Sequence, residues 1–218
     1  MSTIQLRVND RSVNAYLASP SNGGQGVLVL PSWWGLKPFF KEICDQLAEH
    51  GYTALAPDYY DGRVAKTIDE AKELQGSTEG KNPELIGDIV RAAKEHLVSL
   101  TKNKIGVIGF SMGTWWSLVM AESDPNISAI VLFYGTGDMD FSTVKAKVLG
   151  HYAETDEWES LDNVRGMEQA MKNAGIDVTL HIYPKTAHWF MESDRPEYDP
   201  AAAKLAWERT FEFLKASL

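Results

Sequence analysis

Residues 104–118 constrain the fold of this chain more than any other stretch, because a Gly-x-Ser-x-Gly turn joins a strand pattern to a helix pattern. The apolar run at 105–108 is typical of a buried strand. Gly109 and Gly113 flank Ser111 at two residues on either side, so the adjoining chain can pass close to the turn without a Cβ clash. A helix beginning after the turn directs its N-terminal N–H groups toward the serine oxygen. The stretch therefore predicts a nucleophile elbow with Ser111 as the nucleophile.

The length and composition predict a single domain over residues 1–218 with an ordinary globular balance of 44% hydrophobic and 23% charged residues. A net charge of −9 disfavours nucleic acid and anionic membranes as partners. There is no apolar run of about 18 residues and no basic-then-apolar leader pattern, so we expect a cytoplasmic protein without a membrane span. We expect a monomer by default. The single cysteine, Cys44, lies among apolar residues at helical spacing and is predicted to be a buried structural thiol.

Strand patterns alternate with helix patterns along most of the chain. The predicted strands are 4–8, 13–18, 27–30, 53–56, 105–108, 127–134, 144–152 and 177–183, and the predicted helices are 39–50, 68–76, 84–100, the stretch after the elbow, 160–174 and the stretch after residue 199. The first two strands predict an antiparallel edge, and the later alternation predicts a mostly parallel sheet with helices on both faces. Gly51 and Gly175 are predicted to end the helices before them, and Asp199 is predicted to cap the last helix with Pro200 at its first position. Residues 76–83 are predicted to form a surface loop. The connections from strand to helix are short except for 61–83, which predicts that no cap domain is inserted.

A serine hydroxyl needs a base to remove its proton, and the base needs an acid that orients it. After an elbow of this kind, the acid and then the histidine are expected on loops at the carboxyl ends of later strands. Asp156 follows the predicted strand 144–152, and His188 follows the predicted strand 177–183. The spacing alone leaves Glu154 and Glu157 as alternatives to Asp156.

Other residues near the expected cleft have predicted roles. The N–H groups of Met112 and Trp33 are the candidate oxyanion donors. Trp34, Tyr59 and Trp189 are candidate substrate-binding residues, which favours a hydrophobic acyl or aryl group. We predict that Trp115 and Trp116 on the elbow helix are core residues, and that the last helix turns Leu205, Phe211 and Leu214 inward. His151 could line the cleft but has no obvious role. The His, Cys, Asp and Glu residues show no metal-ligand spacing, so no metal or other cofactor is expected.

The chain resembles the dienelactone hydrolase family of the α/β-hydrolase superfamily over nearly its whole length. The motifs that carry the resemblance are Pro31-Ser-Trp-Trp-Gly35, Ala56-Pro-Asp-Tyr-Tyr60, Gly109-Phe-Ser-Met-Gly113, Glu154-Thr-Asp156, Ala187-His-Trp-Phe190 and Ala206-Trp-Glu-Arg-Thr210. The resemblance implies a three-layer α/β-hydrolase fold. It also implies that Ser111, Asp156 and His188 form the catalytic triad, with Trp33 and Met112 as oxyanion donors.

Three positions depart from the family pattern. The name-giving enzymes use a cysteine nucleophile where this chain has Ser111, and a glutamate beside the resting thiol where it has Ser32. They grip the substrate carboxylate with an arginine four residues after the histidine, where this chain has Glu192, with Arg195 nearby. We therefore expect Glu192 to repel an anionic substrate, so that an uncharged ester or lactone fits better.

The sequence thus predicts a serine hydrolase that cleaves small carboxylic esters or lactones through an acyl-enzyme. Two alternatives remain open. The same three side chains could hydrolyse thioesters or peptides, or the fold could serve a ligand-binding sensor with little turnover.

Overall fold

The computed structural model describes residues 1–80, 82, 84–101 and 104–218. The chain forms two compact units, residues 1–105 and 106–218, which are described in turn. The prediction of one domain over residues 1–218 stays a prediction. The elements of the chain are the strands β1 (Ser2–Val8), β2 (Arg11–Ala18), β3 (Gln25–Leu30), β4 (Tyr52–Pro57), β5 (Ile105–Phe110), β6 (Ile127–Phe133), β7 (Lys147–Ala153) and β8 (Val178–Tyr183), and the helices α1 (Pro38–Glu49), α2 (Ile68–Glu79), α3 (Leu85–Thr101), α4 (Met112–Ser123), α5 (Leu161–Asn173) and α6 (Pro200–Ser217).

The first unit begins with an antiparallel hairpin. β1 pairs with β2 through a turn in which Asn9 has a φ of 52°, a left-handed conformation that asparagine tolerates. β2 then pairs antiparallel with β4, and β4 pairs parallel with β3. The strand order β1-β2-β4-β3 confirms the predicted antiparallel edge.

The helices of the first unit bury one face each. On α3 the inward residues are Leu85, Ile86, Ile89, Val90, Ala93 and Leu97. Cys44 on α1 is fully buried, which confirms the predicted buried thiol, and desolvation raises its pKa. Helix α2 continues to Glu79, so the predicted loop over residues 76–83 is wrong for residues 76–79; Lys81 and Pro83 lie outside the described residues.

In the second unit the strands follow the order β5-β6-β7-β8, and β6–β7 and β7–β8 are parallel pairs. Every residue of β5 is buried, as expected for a strand covered on both sides. Strand β7 begins at Lys147 rather than at residue 144. The carboxyl ends of β5, β7 and β8 lead into the segments that carry Ser111, Asp156 and His188.

Residues at the helix ends act as the sequence predicts. Gly51 and Gly175 follow the C-caps of α1 and α5 with φ values of 90° and 79°. Asp199 caps α6, its carboxylate accepting from the N–H groups of Ala201 and Ala202 at 3.0 and 2.9 Å. Among the helices in the described part of the chain, none is long and apolar enough to cross a membrane.

Two predictions about buried aromatic and aliphatic side chains are wrong. Trp115 on α4 was expected in the core, but it is 41% exposed. The inward face of α6 consists of Ala203, Ala206, Thr210 and Leu214, while Leu205 is 41% exposed. In both helices apolar residues also lie outside the face that packs against the rest of the protein. The sequence pattern alone therefore does not identify which of them are buried.

His151 on β7 is a core residue rather than a cleft residue. It is fully buried, its Nδ1 lies 2.8 Å from the Tyr183 hydroxyl, and its Nε2 lies 3.1 Å from the Thr210 hydroxyl. Its ring stacks on Phe133, with the centroids 4.7 Å apart. Desolvation holds the pKa of His151 well below its usual value, with a further lowering from His181 and Arg209.

Two leucines of α6 provide a matched test of this packing. Leu214 is fully buried and Leu205 is exposed. Replacing either leucine by alanine removes the same atoms from the same helix, so the two changes differ mainly in burial. We expect Leu214→Ala to lower the free energy of unfolding by about 2–5 kcal/mol and Leu205→Ala to change it by less than about 0.5 kcal/mol. Urea denaturation of the purified variants measures both values, and equal losses would contradict the observed burial.

His151 predicts a specific pH dependence of stability. The unfolded chain binds a proton at this histidine below about pH 6.5, whereas the folded protein does not, so the unfolded state binds more protons. The stabilisation is complete above that pH and is lost as the pH falls below it, by up to about 1.4 kcal/mol per pH unit. We expect His151→Gln to flatten this slope in denaturation curves between pH 6.5 and 5. An unchanged slope would mean that His151 is not kept neutral by burial.

Candidate active site

Ser111 sits at the tip of a strained turn between β5 and α4. Its φ of 50° and ψ of −112° are unusual for any residue other than glycine. The turn is held because the Ser111 N–H donates to the Phe133 carbonyl at 2.9 Å, and the Ser111 carbonyl accepts from the Thr114 N–H at 2.8 Å. The Thr114 hydroxyl donates to the Gly109 carbonyl at 3.2 Å. The predicted elbow is therefore present, and it raises the serine side chain above the carboxyl end of β5.

The glycine two residues before Ser111 is required by close packing. A Cβ at Gly109 would lie 2.5 Å from the Gly113 carbonyl oxygen and would overlap the Ser117 hydroxyl. Gly135, just after β6, is a second such position, since a Cβ there would lie 2.7 Å from the Ser111 carbonyl oxygen. Both contacts involve backbone atoms, which cannot yield without moving the turn.

The structure brings Ser111, His188 and Asp156 into one hydrogen-bonded series. The Ser111 Oγ lies 3.0 Å from His188 Nε2, and His188 Nδ1 lies 2.7 Å from Asp156 Oδ2. The His188 and Asp156 side chains are only 6% and 3% exposed. The distances allow the imidazole to accept the hydroxyl proton through Nε2 while its Nδ1–H is held by the carboxylate.

Asp156 is distinguished from its acidic neighbours by its contacts. Its Oδ1 accepts from the backbone N–H groups of Trp158 and Glu159 at 2.8 and 2.9 Å, which leaves Oδ2 directed at His188. Glu154 instead accepts from the Lys185 N–H at 2.9 Å, and Glu157 is exposed. The geometry therefore favours Asp156 over the two glutamates as the partner of His188.

Aromatic rings surround His188. The ring centroids of Tyr134 and Trp189 lie 4.9 and 4.8 Å from that of His188, and the centroid of Trp158 lies 6.4 Å away. Trp189 is 3% exposed and Trp158 is 45% exposed. Sequence reasoning identified Trp189 but missed Tyr134 and Trp158. Trp158 stands two residues after Asp156, a position that could have suggested proximity, whereas Tyr134 ends an ordinary apolar strand pattern.

Trp33, a predicted oxyanion donor, belongs to the first unit, as do the predicted substrate-binding residues Trp34 and Tyr59. Trp33 and Trp34 follow β3 and meet edge to face, with their centroids 5.6 Å apart. Trp34 is 1% exposed and Tyr59 is 3% exposed. Met112 begins α4 directly after Ser111, where N–H groups point along the helix axis toward the turn. The oxyanion and substrate-binding roles of these residues remain predictions.

The side chain of Glu192 is buried, whereas we expected it to face the substrate and repel an anion. Its side chain is fully buried and accepts a hydrogen bond from the Tyr134 hydroxyl at 2.9 Å, so it does not present an exposed charge to a substrate. The Arg195 guanidinium stacks on Trp189 at 4.8 Å and lies 3.3 Å from Glu197. Among the described residues, no group of three or more His, Cys, Asp or Glu side chains is arranged to hold a metal ion.

Two glycine-to-alanine changes test the elbow packing. We expect Gly109→Ala to lower the free energy of unfolding by about 1–3 kcal/mol, because its Cβ meets backbone atoms. Gly166 in α5 is the matched control: a Cβ there meets nothing within 4 Å, so Gly166→Ala should stabilise the protein by up to about 1 kcal/mol. Chemical denaturation of both variants measures the difference, and a neutral Gly109→Ala would contradict the close approach.

The chain is similar to known proteins over nearly its whole length. The chain is 33% identical to "Protein usf" of Aquifex pyrophilus, over 99% of this chain and 98% of that protein. It is 31% identical to the "Putative carboxymethylenebutenolidase" of Aquifex aeolicus, with the same coverage. It is 26% identical to the "Probable 2-oxo-3-(5-oxofuran-2-ylidene)propanoate lactonase" of a Bradyrhizobium species, over 99% of this chain and 94% of that protein.

A solved structure extends the comparison to the fold. The crystal structure of the "Putative Dienelactone Hydrolase" of Klebsiella pneumoniae superposes with a TM-score of 0.82 at 23% identity, covering 98% of this chain and 97% of that one. This confirms the predicted fold class: an α/β-hydrolase fold with a mixed, mostly parallel sheet of eight strands, six helices and no extra domain in the described part of the chain. The dienelactone hydrolase family profile matches residues 13–218. The chain belongs to the dienelactone hydrolase family and is a carboxymethylenebutenolidase-like carboxylic ester hydrolase.

Proposed function

We propose that the protein is a serine hydrolase that cleaves small carboxylic esters or lactones through an acyl-enzyme on Ser111. The observation that carries the proposal is the series of hydrogen bonds from Ser111 Oγ to His188 Nε2 at 3.0 Å and from His188 Nδ1 to Asp156 Oδ2 at 2.7 Å. A nucleophile, a base and an orienting acid in this order are what acyl transfer requires.

In the proposed mechanism His188 takes the Ser111 hydroxyl proton as the oxygen attacks the substrate carbonyl. Asp156 keeps the proton of His188 on Nδ1 and stabilises the imidazolium that forms. The backbone N–H groups of Trp33 and Met112 stabilise the tetrahedral oxyanion. His188 then protonates the leaving alkoxide and, in the second half, activates the water that hydrolyses the acyl-enzyme. The route uses no cofactor.

The substrate class rests on the relatives and on the residues that differ from the family pattern. One relative is named as a lactonase and another as a butenolidase, which supports an ester or lactone carbonyl as the reacting group. This chain has no arginine at position 192, so the usual grip on a substrate carboxylate is missing there. Trp34, Tyr59 and Trp189 would supply the apolar contacts. An uncharged small ester or lactone therefore fits the proposal best.

The proposal is tested with p-nitrophenyl acetate and butyrate and with a small uncharged lactone. We expect multiple turnovers by the wild type, and we expect Ser111→Ala, His188→Ala and Asp156→Asn to lower kcat by about 10⁴- to 10⁶-fold, because the three groups act as a unit. A fluorophosphonate should add one adduct to the wild type by intact mass, and none to Ser111→Ala.

The other outcomes separate the alternative functions. An adduct on Ser111 without ester turnover would mean a reactive serine with another substrate, and thioester and peptide substrates would follow. Slow single-turnover cleavage would support a ligand-binding sensor. Ester turnover that survives in Ser111→Ala would exclude this serine as the nucleophile and would overturn the proposal.

A further inference from the structure

Tyr134 and Glu192 form a buried pair next to His188, and the ring of Tyr134 makes the contact with His188. Both residues have 0% exposure, and the Tyr134 hydroxyl donates to Glu192 Oε1 at 2.9 Å. The Tyr134 ring also packs on the imidazole, with ring centroids 4.9 Å apart at an angle of 56°. Because Glu192 follows His188 by four residues, the pair links the end of β6 to the segment that carries His188.

Burial of an acidic side chain sets this pair apart from ordinary core residues. A carboxylate loses its hydration on burial, and hydrogen bonds within the protein must replace it. A residue with no role at this position could be apolar. Tyr134 is itself unusual, since its φ of 40° places a non-glycine residue in the left-handed region just after β6. Such strain persists where the surroundings hold it, and it is concentrated at functional sites.

Other groups besides Tyr134 also restrain His188. Asp156 holds its Nδ1, and the Trp189 ring meets it edge to face at 88°, but Trp189 is its neighbour in the chain. Tyr134 instead follows β6 directly, and its N–H donates to the His151 carbonyl of β7 at 2.9 Å. The same end of β6 holds the elbow, because the Phe133 carbonyl accepts from the Ser111 N–H. Phe133 and Tyr134, neighbours in the chain, thus contact the serine turn and the histidine ring respectively.

We propose that Glu192, acting through the Tyr134 hydroxyl, is a positioning residue that fixes the His188 imidazole relative to Ser111. This inference rests on the proposed function of Ser111 and His188. The hydrogen bond to Glu192 holds the Tyr134 ring against His188. It also ties the chain that follows His188 to the residue after β6. The pair does not touch the substrate, so it affects the chemical step through alignment rather than through binding.

Substitutions can separate alignment from folding and from charge. Tyr134→Phe removes only the hydroxyl, Glu192→Ala removes the acceptor, and Glu192→Gln keeps an acceptor oxygen without the charge. Thr210→Val is the matched control, since it removes a buried hydroxyl of the same unit that bonds His151 on another element.

The expected kinetic result is a loss in kcat with little change in KM. Misalignment of a catalytic group lowers the rate by up to about 100-fold, so we expect Tyr134→Phe and Glu192→Ala each to lower kcat by about 10- to 100-fold with KM within about twofold. The double variant should be no slower than the slower single variant, because both changes break one link. Glu192→Gln should retain most of kcat, and Thr210→Val all of it.

A second measurement does not depend on turnover. The proton between His188 Nδ1 and Asp156 gives a downfield ¹H NMR resonance, which should shift or broaden in Tyr134→Phe and stay unchanged in Thr210→Val. If the wild type has no esterase activity, the proposed function fails while this resonance still decides the positioning role. Wild-type kcat with an unshifted resonance in Tyr134→Phe would overturn the inference, as would a loss of equal size in Thr210→Val.

Discussion

The hydrogen bond from the Ser111 N–H to the Phe133 carbonyl is the interaction on which the rest of the site depends. It holds a left-handed serine at the end of β5 against the end of β6, at the cost of backbone strain. Glycines at 109 and 135 allow this approach because neither has a Cβ to obstruct backbone oxygens. Without that contact the turn would relax toward ordinary φ values, and the serine oxygen would lose its relation to His188. The position of Ser111 is thus decided by backbone packing rather than by its side chain.

His188 is held by contacts with other side chains, whereas Ser111 is held by backbone contacts. A charge-assisted hydrogen bond to Asp156 sets the orientation of the ring, and two backbone N–H groups hold the other oxygen of that carboxylate. Aromatic contacts with Tyr134 and Trp189 fix the ring plane. Because the imidazole and Asp156 are almost fully buried, these interactions are little screened by water.

The departures from the family pattern have a consistent physical interpretation. A serine has no resting thiolate that a neighbouring glutamate must control, which is compatible with Ser32 in the loop after β3. At position 192 the change from arginine to glutamate does more than reverse a charge. The carboxylate is withdrawn into the core onto Tyr134, so the position becomes part of the support of the histidine segment instead of the substrate surface.

The sequence by itself determined the order of elements, the caps at Gly51, Gly175 and Asp199, the elbow, and Ser111 and His188 as candidates. These features depend on local backbone preferences and hydrophobic periodicity, which act over a few residues. Only the tertiary structure showed that Asp156 rather than Glu154 hydrogen-bonds to His188, buried Glu192 and His151, and left Trp115 and Leu205 exposed. Those outcomes depend on which face of a helix or loop meets a partner distant in the chain, and a one-residue rotation changes that face without altering the local pattern.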